Sequence, residues 1–192
     1  MAENEKIYLR FGVVALLVLL AAFSRILPHP PNFSPIGGIA LFGAARFSRR
    51  LVAVVVPFTS LWLSDLVINN VMYASYFDHF VWFYQGFYWT YGAFLLIVLL
   101  GRITLKKTSP SSLLISSVLA SVIFFLISNF GVWASGTIYP KNLNGILACY
   151  TAGIPFFQNT LAGDLTYTVA LFGLFALARR RIPRLQIQAA RP

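Results

Sequence analysis

Charge is scarce in this chain. Of 192 residues, 10% are Asp, Glu, Lys or Arg, against roughly 25% in an ordinary soluble domain, and only five are acidic. With 58% hydrophobic residues beside so little charge, a soluble globular domain is excluded and an integral membrane protein is expected. A single cysteine, Cys149, rules out an internal disulfide and leaves the redox compartment open. It reads as a small buried apolar residue, the alternative being a soft ligand for a metal-bearing substrate. Two histidines, His29 and His79, stand in separate loops and make no metal signature, and no cofactor motif is present. The formal charge of +10 points at first to nucleic acid, but the basic residues fall between apolar segments and no solvated domain gathers them.

What the chain has instead is long apolar segments. They are expected as six spans of one transmembrane domain over residues 1–192, an all-α bundle, at about 7–27, 35–47, 51–68, 81–101, 111–133 and 156–178. Lys6 and Arg10 precede the first run, but no small-residue cleavage pattern follows it, so it is expected to stay as a helix. Ser34-Pro35 reads as a cap and first-turn proline for the second. That helix is short, about 18 Å at 1.5 Å per residue, and is expected to begin below the membrane surface in a protein-lined recess. Ser109-Pro110 starts the fifth, and a Gly-interrupted piece, residues 145–153, precedes the sixth.

Basic residues set the orientation, because loops rich in Lys and Arg stay cytoplasmic. Six spans put Lys6, Arg10, Arg46, Arg49, Arg50, Arg102, Lys106, Lys107 and the five arginines from Arg179 onward on one face. Only Arg25 and Lys141 fall outside. Both termini are therefore expected inside.

Two of the five acids interrupt apolar segments. A carboxylate near the bilayer centre costs on the order of 2.5–3.5 kcal/mol, which makes Asp65 and Asp164 functional candidates. Their surroundings form a loose repeat, Pro57-Phe58 to Asp65 and Pro155-Phe156 to Asp164. Each is expected roughly 6–8 Å below the outer boundary, with Asn129 at similar depth and Arg25 near the outer end of the first span. Such a layer reads as a cavity opening outward. The plainer alternative has Arg25 neutralising one acid to fix helix packing, with Asn129 and Asn159 capping or cross-linking helices. The stretch from Met72 to Trp89 is rich in aromatics. It reads as an interfacial belt, or, through Tyr73, Phe77, Phe80, Tyr84 and Phe87, as one aromatic face of a helix covering a planar ligand. Ala40 and Ala44 make a small-xxx-small face.

The Pro-rich first outer loop, the Gly-rich helix in Asn32-Phe-Ser-Pro-Ile-Gly-Gly-Ile-Ala-Leu-Phe-Gly43 and the two Pro-to-Asp motifs resemble the substrate-binding membrane subunits (S-components) of energy-coupling factor vitamin transporters. Asn129-Phe-Gly-Val-Trp133 and Pro155-Phe-Phe-Gln-Asn-Thr-Leu-Ala-Gly-Asp164 resemble more closely a family of uncharacterised bacterial membrane proteins. The resemblance implies a bacterial cytoplasmic-membrane protein that captures a vitamin-like solute in an outward-facing pocket. It also implies, as partner, a coupling membrane subunit with ATPases, or solitary transport. The small-residue docking patch of S-components, Ala-xxx-Ala in the first helix, is here replaced by Gly12 and Ala15.

The expected solute-binding set is Arg25, Asn32, Asp65, Asn69, Asn129, Trp133, Asn159, Asp164 and Tyr167, with no catalytic or metal-binding residue and no cofactor. Pro35 is expected to present free backbone N–H groups to an anionic part of the solute. The alternatives are an intramembrane enzyme using Asp65 and Asp164 as an acid–base pair, since Leu161-Ala-Gly-Asp164 is one glycine short of the intramembrane aspartyl protease motif, and a structural scaffold.

Overall fold

The computed structural model describes residues 2–185. Six α-helices make the bundle: α1 (Ala2–Phe23), α2 (Ile36–Arg46), α3 (Arg50–Val67), α4 (Phe87–Thr104), α5 (Pro110–Ser135) and α6 (Leu143–Arg181). All but α2 belong to stretches long and apolar enough to cross a membrane. Leu16, Leu20, Leu99, Leu114, Ile115 and Val169 are each more than half exposed, an apolar exterior that lipid suits and water does not.

The short helix is the centre. α2 touches each of the other five helices, and every residue from Ile36 to Ala44 is buried. Small residues allow this close approach. A Cβ added at Gly43 would press on the Pro57 ring of α3, and one at Gly38 would press on Tyr167 of α6. Around α2 the core is filled by Val14 and Val18 of α1, Phe94 and Ile97 of α4, and Phe175 of α6. Phe42 meets Phe172 and Phe175 edge-on at 5.2 and 5.8 Å. Eleven residues span only about 16 Å, so α2 does not cross a bilayer by itself.

Helix starts follow local chemistry. At α5 the Ser109 hydroxyl accepts the Ser112 N–H at 3.1 Å while the Ser109 N–H donates to Ser112 Oγ at 2.8 Å, a reciprocal capping box with Pro110 behind it. At α6 the Asn142 side chain accepts the Gly145 N–H at 2.9 Å. The segment 145–153, expected ahead of the sixth span, is therefore continuous with it. Pro155 lies inside the 39-residue helix.

The aromatic stretch differs most from its helical reading. α4 starts at Phe87 rather than near residue 81, and Tyr73, Phe77, Phe80 and Tyr84 share no helix face. Past α3 the chain makes a π turn (Ile68–Met72) and a 3-10 turn (Ala74–Tyr76), then runs irregularly to Gly86, whose φ of 81° permits the sharp entry into α4. Asn70 holds this loop. Its amide donates to Leu66 O and Val81 O, both at 2.9 Å, and accepts the Val81 N–H at 2.7 Å. Those bonds satisfy backbone that a helix would have satisfied internally. Trp82 stacks on Trp62, and Phe83 lies 4.5 Å from Phe87.

Candidate functional site

Polar side chains gather around the start of α2 in two nodes. The first begins where α1 ends. Ser24 Oγ donates to Ala21 O at 2.7 Å and the chain tightens into a 3-10 turn, Ser24–Ile26. Arg25 then reaches α3, with Nη1 2.7 Å from Asp65 Oδ1 and donating to Ser64 Oγ at 2.8 Å. Tyr91 of α4 donates to the other oxygen, Asp65 Oδ2, at 2.6 Å and rests on the Phe58 ring. The ion pair is largely enclosed, with 16% and 8% of the two side chains exposed. Its neutral total is what makes burial tolerable. Burial pushes the nearby Tyr84 phenol, in the loop before α4, up to about 12, so it stays protonated over this pair.

Among the described residues no counter-charge meets the second node. Asp164 of α6, 2% exposed, accepts the Gly37 N–H through Oδ1 at 2.9 Å and the Ser121 hydroxyl through Oδ2 at 2.7 Å. The Gly38 N–H is directed at the same carboxylate. Asp164 thus caps α2 from a distant helix, satisfying N–H groups that have no partner inside α2 and sitting at the positive end of its dipole. One turn further along, Ser117 of α5 donates to Thr168 of α6 at 2.9 Å. Gly37 has to be glycine, since a Cβ there would collide with the Asp164 carboxylate.

Two expectations change. The α2 start does not present free N–H groups to a solute, because Asp164 occupies them. The cavity expected beside the acids is closed at Asp65: the gap between Arg25, Ile36, Leu61, Asp65, Thr90, Tyr91 and Phe94 has no room for a water molecule. The carboxylates are taken up by different partners, Arg25 and Tyr91 for Asp65, Gly37 and Ser121 for Asp164.

The other members of the expected set divide. Tyr167 belongs with the nodes, its hydroxyl 2.7 Å from Ser24 Oγ and its ring against Phe33. Asn159 donates to Pro31 O at 3.0 Å, tying the loop before α2 to α6, and Asn32 in that loop has a left-handed φ of 63°. Asn69 lies in the π turn after α3. Asn129 and Trp133 belong to the α5–α6 side: Asn129 bonds Phe125 O at 2.8 Å and packs on Gly153, while Trp133 donates to Pro140 O at 2.9 Å and is joined there by Lys141, whose ammonium bonds the Trp133 carbonyl.

With the geometry in place, comparison with known proteins is decisive on one point. The model of a family of unknown function, DUF6580, matches residues 5–185. The chain belongs to that family. No curated protein and no solved structure matches it. For this family member the residues that sequence reasoning missed are Ser121, Tyr91, Gly37 and Asn70. Only the serines carried a signal, since Ser117 and Ser121 are one turn apart on a mostly apolar helix and so share a face.

Proposed function

We propose that the protein binds a small, vitamin-like solute at the α2 start and serves in its uptake, in the manner of an S-component or a solitary transporter. The observation that carries this reading is the pair of buried carboxylates on different helices beside one helix start. An ionisable residue in an apolar spanning segment is a functional-site hypothesis by default. In this reading the described packing is a closed state, and the Arg25–Asp65 contact is what a solute would open, taking over charge-assisted hydrogen bonds from one partner or the other. The aromatic loop over Tyr84 and Trp82 would supply contact area. The setting is the bacterial cytoplasmic membrane with both termini inside, which the distribution of Lys and Arg supports.

A coupling subunit with ATPases belongs to the same proposal. Ala40 and Ala44 are buried inside α2 and are not accessible to such a partner, whereas Gly12 of α1 has open space beside it.

One observation favours a second reading. Both carboxylates are fully partnered, as in a structural lock, and a scaffold protein would need nothing more. An acid–base enzyme is less supported, since that chemistry wants two carboxylates sharing a proton.

A thermal-shift screen against vitamins and nucleobases, followed by native mass spectrometry of any hit, separates the first two. Solute binding requires a compound that stabilises the wild type and is retained less by Asp65→Asn. If the wild type retains nothing, or both proteins retain the hit equally, the scaffold reading stands.

A further inference from the structure

The two buried acids differ in whether their partners could serve a neutral carboxyl group. At Asp65 they could not, because protonation would strip the largely enclosed Arg25 of the counter-charge it holds at 2.7 Å. At Asp164 the partners are backbone N–H groups and a hydroxyl, none of which carries a net charge.

The decisive group is Ser121. Its hydroxyl has one hydrogen and two acceptors in reach, Asp164 Oδ2 at 2.7 Å and the Ser117 carbonyl, one turn back on α5, at 3.1 Å. When Asp164 is ionised, that hydrogen points to Oδ2. When Oδ2 is protonated, the new O–H donates to Ser121 Oγ, and Ser121 turns its own hydrogen to the Ser117 carbonyl. Oδ1 accepts the Gly37 N–H at 2.9 Å in both forms. The same heavy atoms, unmoved, therefore satisfy the acid and its conjugate base, which a side chain only 2% exposed requires of its neighbours in either form.

The surroundings leave both forms open. Among the described residues, α5 carries no titratable group at all. The one cation of α2, Arg46, is at its far end, about 14 Å along the axis from Gly37. On α6 the phenol of Tyr167, one turn away, meets Ser24, whereas Cys149, Tyr150 and Arg179–Arg181 lie about 20 Å or more along the helix. From the end of α1 comes Arg25, already neutralised by Asp65, and His29 beyond it faces the Arg25 and Pro30 carbonyls. Glu5, Lys6, Tyr8 and Arg10 belong to the opposite end of α1, and Arg184 to the turn after α6. Water is close: Gly163, next to Asp164, abuts the Ser34 backbone, and residues 27–32 of that same loop are exposed.

We propose that Asp164 is a proton-binding site, with Ser121 as the hydroxyl that serves both of its forms. The proton comes from water and returns to it; the Oδ2–H bond forms on binding and breaks on release, and no other covalent bond changes. A proton needs no vacant volume, so close packing around the acid is no obstacle. Binding removes the negative charge from the positive end of the α2 dipole and so loosens the seat of that helix. The site exists without a solute and does not depend on the uptake reading.

Infrared difference spectroscopy on the full-length protein in neutral micelles, stepped reversibly in pH, tests it. A protonated-carboxyl band should grow as the pH falls and move to lower frequency in D2O. With five acids in the chain, substitution assigns it: the band should be absent in Asp164→Asn and kept in Asp78→Asn. Ser121→Ala should shift it to higher frequency, and Ser121→Thr, which restores a hydroxyl, should return it. If Asp164→Asn does not fold, as judged by its helical circular dichroism, the Ser121 pair carries the comparison. The site is overturned if the band survives in folded Asp164→Asn, if Ser121→Ala leaves its frequency unchanged, or if no reversible change occurs over the pH range in which the protein stays folded.

Discussion

Asp65 and Asp164 are the same side chain, buried to similar extents beside the start of the same helix, yet they are kept there by different means. Asp65 has a full opposite charge and a phenol. Asp164 has backbone N–H groups, a serine hydroxyl and a helix dipole, and no cation among the described residues. The difference shows that a buried acid need not imply a buried base. Where a short helix ends inside the protein, its unbonded N–H groups are themselves the counter-charge. It also means that the two positions should respond differently to the same substitution.

The largest effect is expected at the ion pair. Arg25→Met leaves Asp65 charged with only the Tyr91 hydroxyl, and should cost about 3–5 kcal/mol, read as a loss of unfolding free energy in a fixed micelle. The double variant Arg25→Met/Asp65→Leu should recover most of it. Equal instability of single and double would mean the pair is not what holds this node.

Loss of the cap comes next. Asp164→Ala removes the acceptor from Gly37 and Ser121 and should cost about 2–3 kcal/mol, while Asp164→Asn keeps a carbonyl for the Gly37 N–H and should cost about 1 kcal/mol. Asp65→Asn, in contrast, leaves Arg25 without its charge partner and should cost about 3 kcal/mol. The same unfolding measurement on both Asp→Asn variants is the sharpest form of the comparison, and equal losses would erase the distinction. The smallest effects, about 1 kcal/mol each, belong to Tyr91→Phe and Ser121→Ala, which remove one hydrogen bond and leave the rest of each node in place.

Sequence and structure agree on the coarse architecture for a physical reason. Long apolar runs and proline starts are local signals, and an all-α bundle with a short second helix follows from them. The intramembrane charges were also legible, because Arg25, Asp65 and Asp164 stand out in any apolar window. Their partners were not. Whether Arg25 meets Asp65 or Asp164 depends on helix rotation and on contacts between distant segments, and the Gly37 N–H that answers Asp164 leaves no mark in the sequence, since every residue but proline has one. The aromatic stretch failed for another reason. Its helical spacing was present, but Gly86 broke the run and Asn70 offered its backbone a better set of bonds.

The walled-in position of α2 bears on how the protein is made. A segment of eleven residues, covering about half the hydrocarbon thickness, has no stable resting place in lipid as an independent unit. Its amide cap comes from residue 164 and its far wall from α4, α5 and α6, all synthesised later. Assembly must therefore run against chain order at this point: the second helix to leave the ribosome is among the last to settle, and its seat is built by segments that follow it.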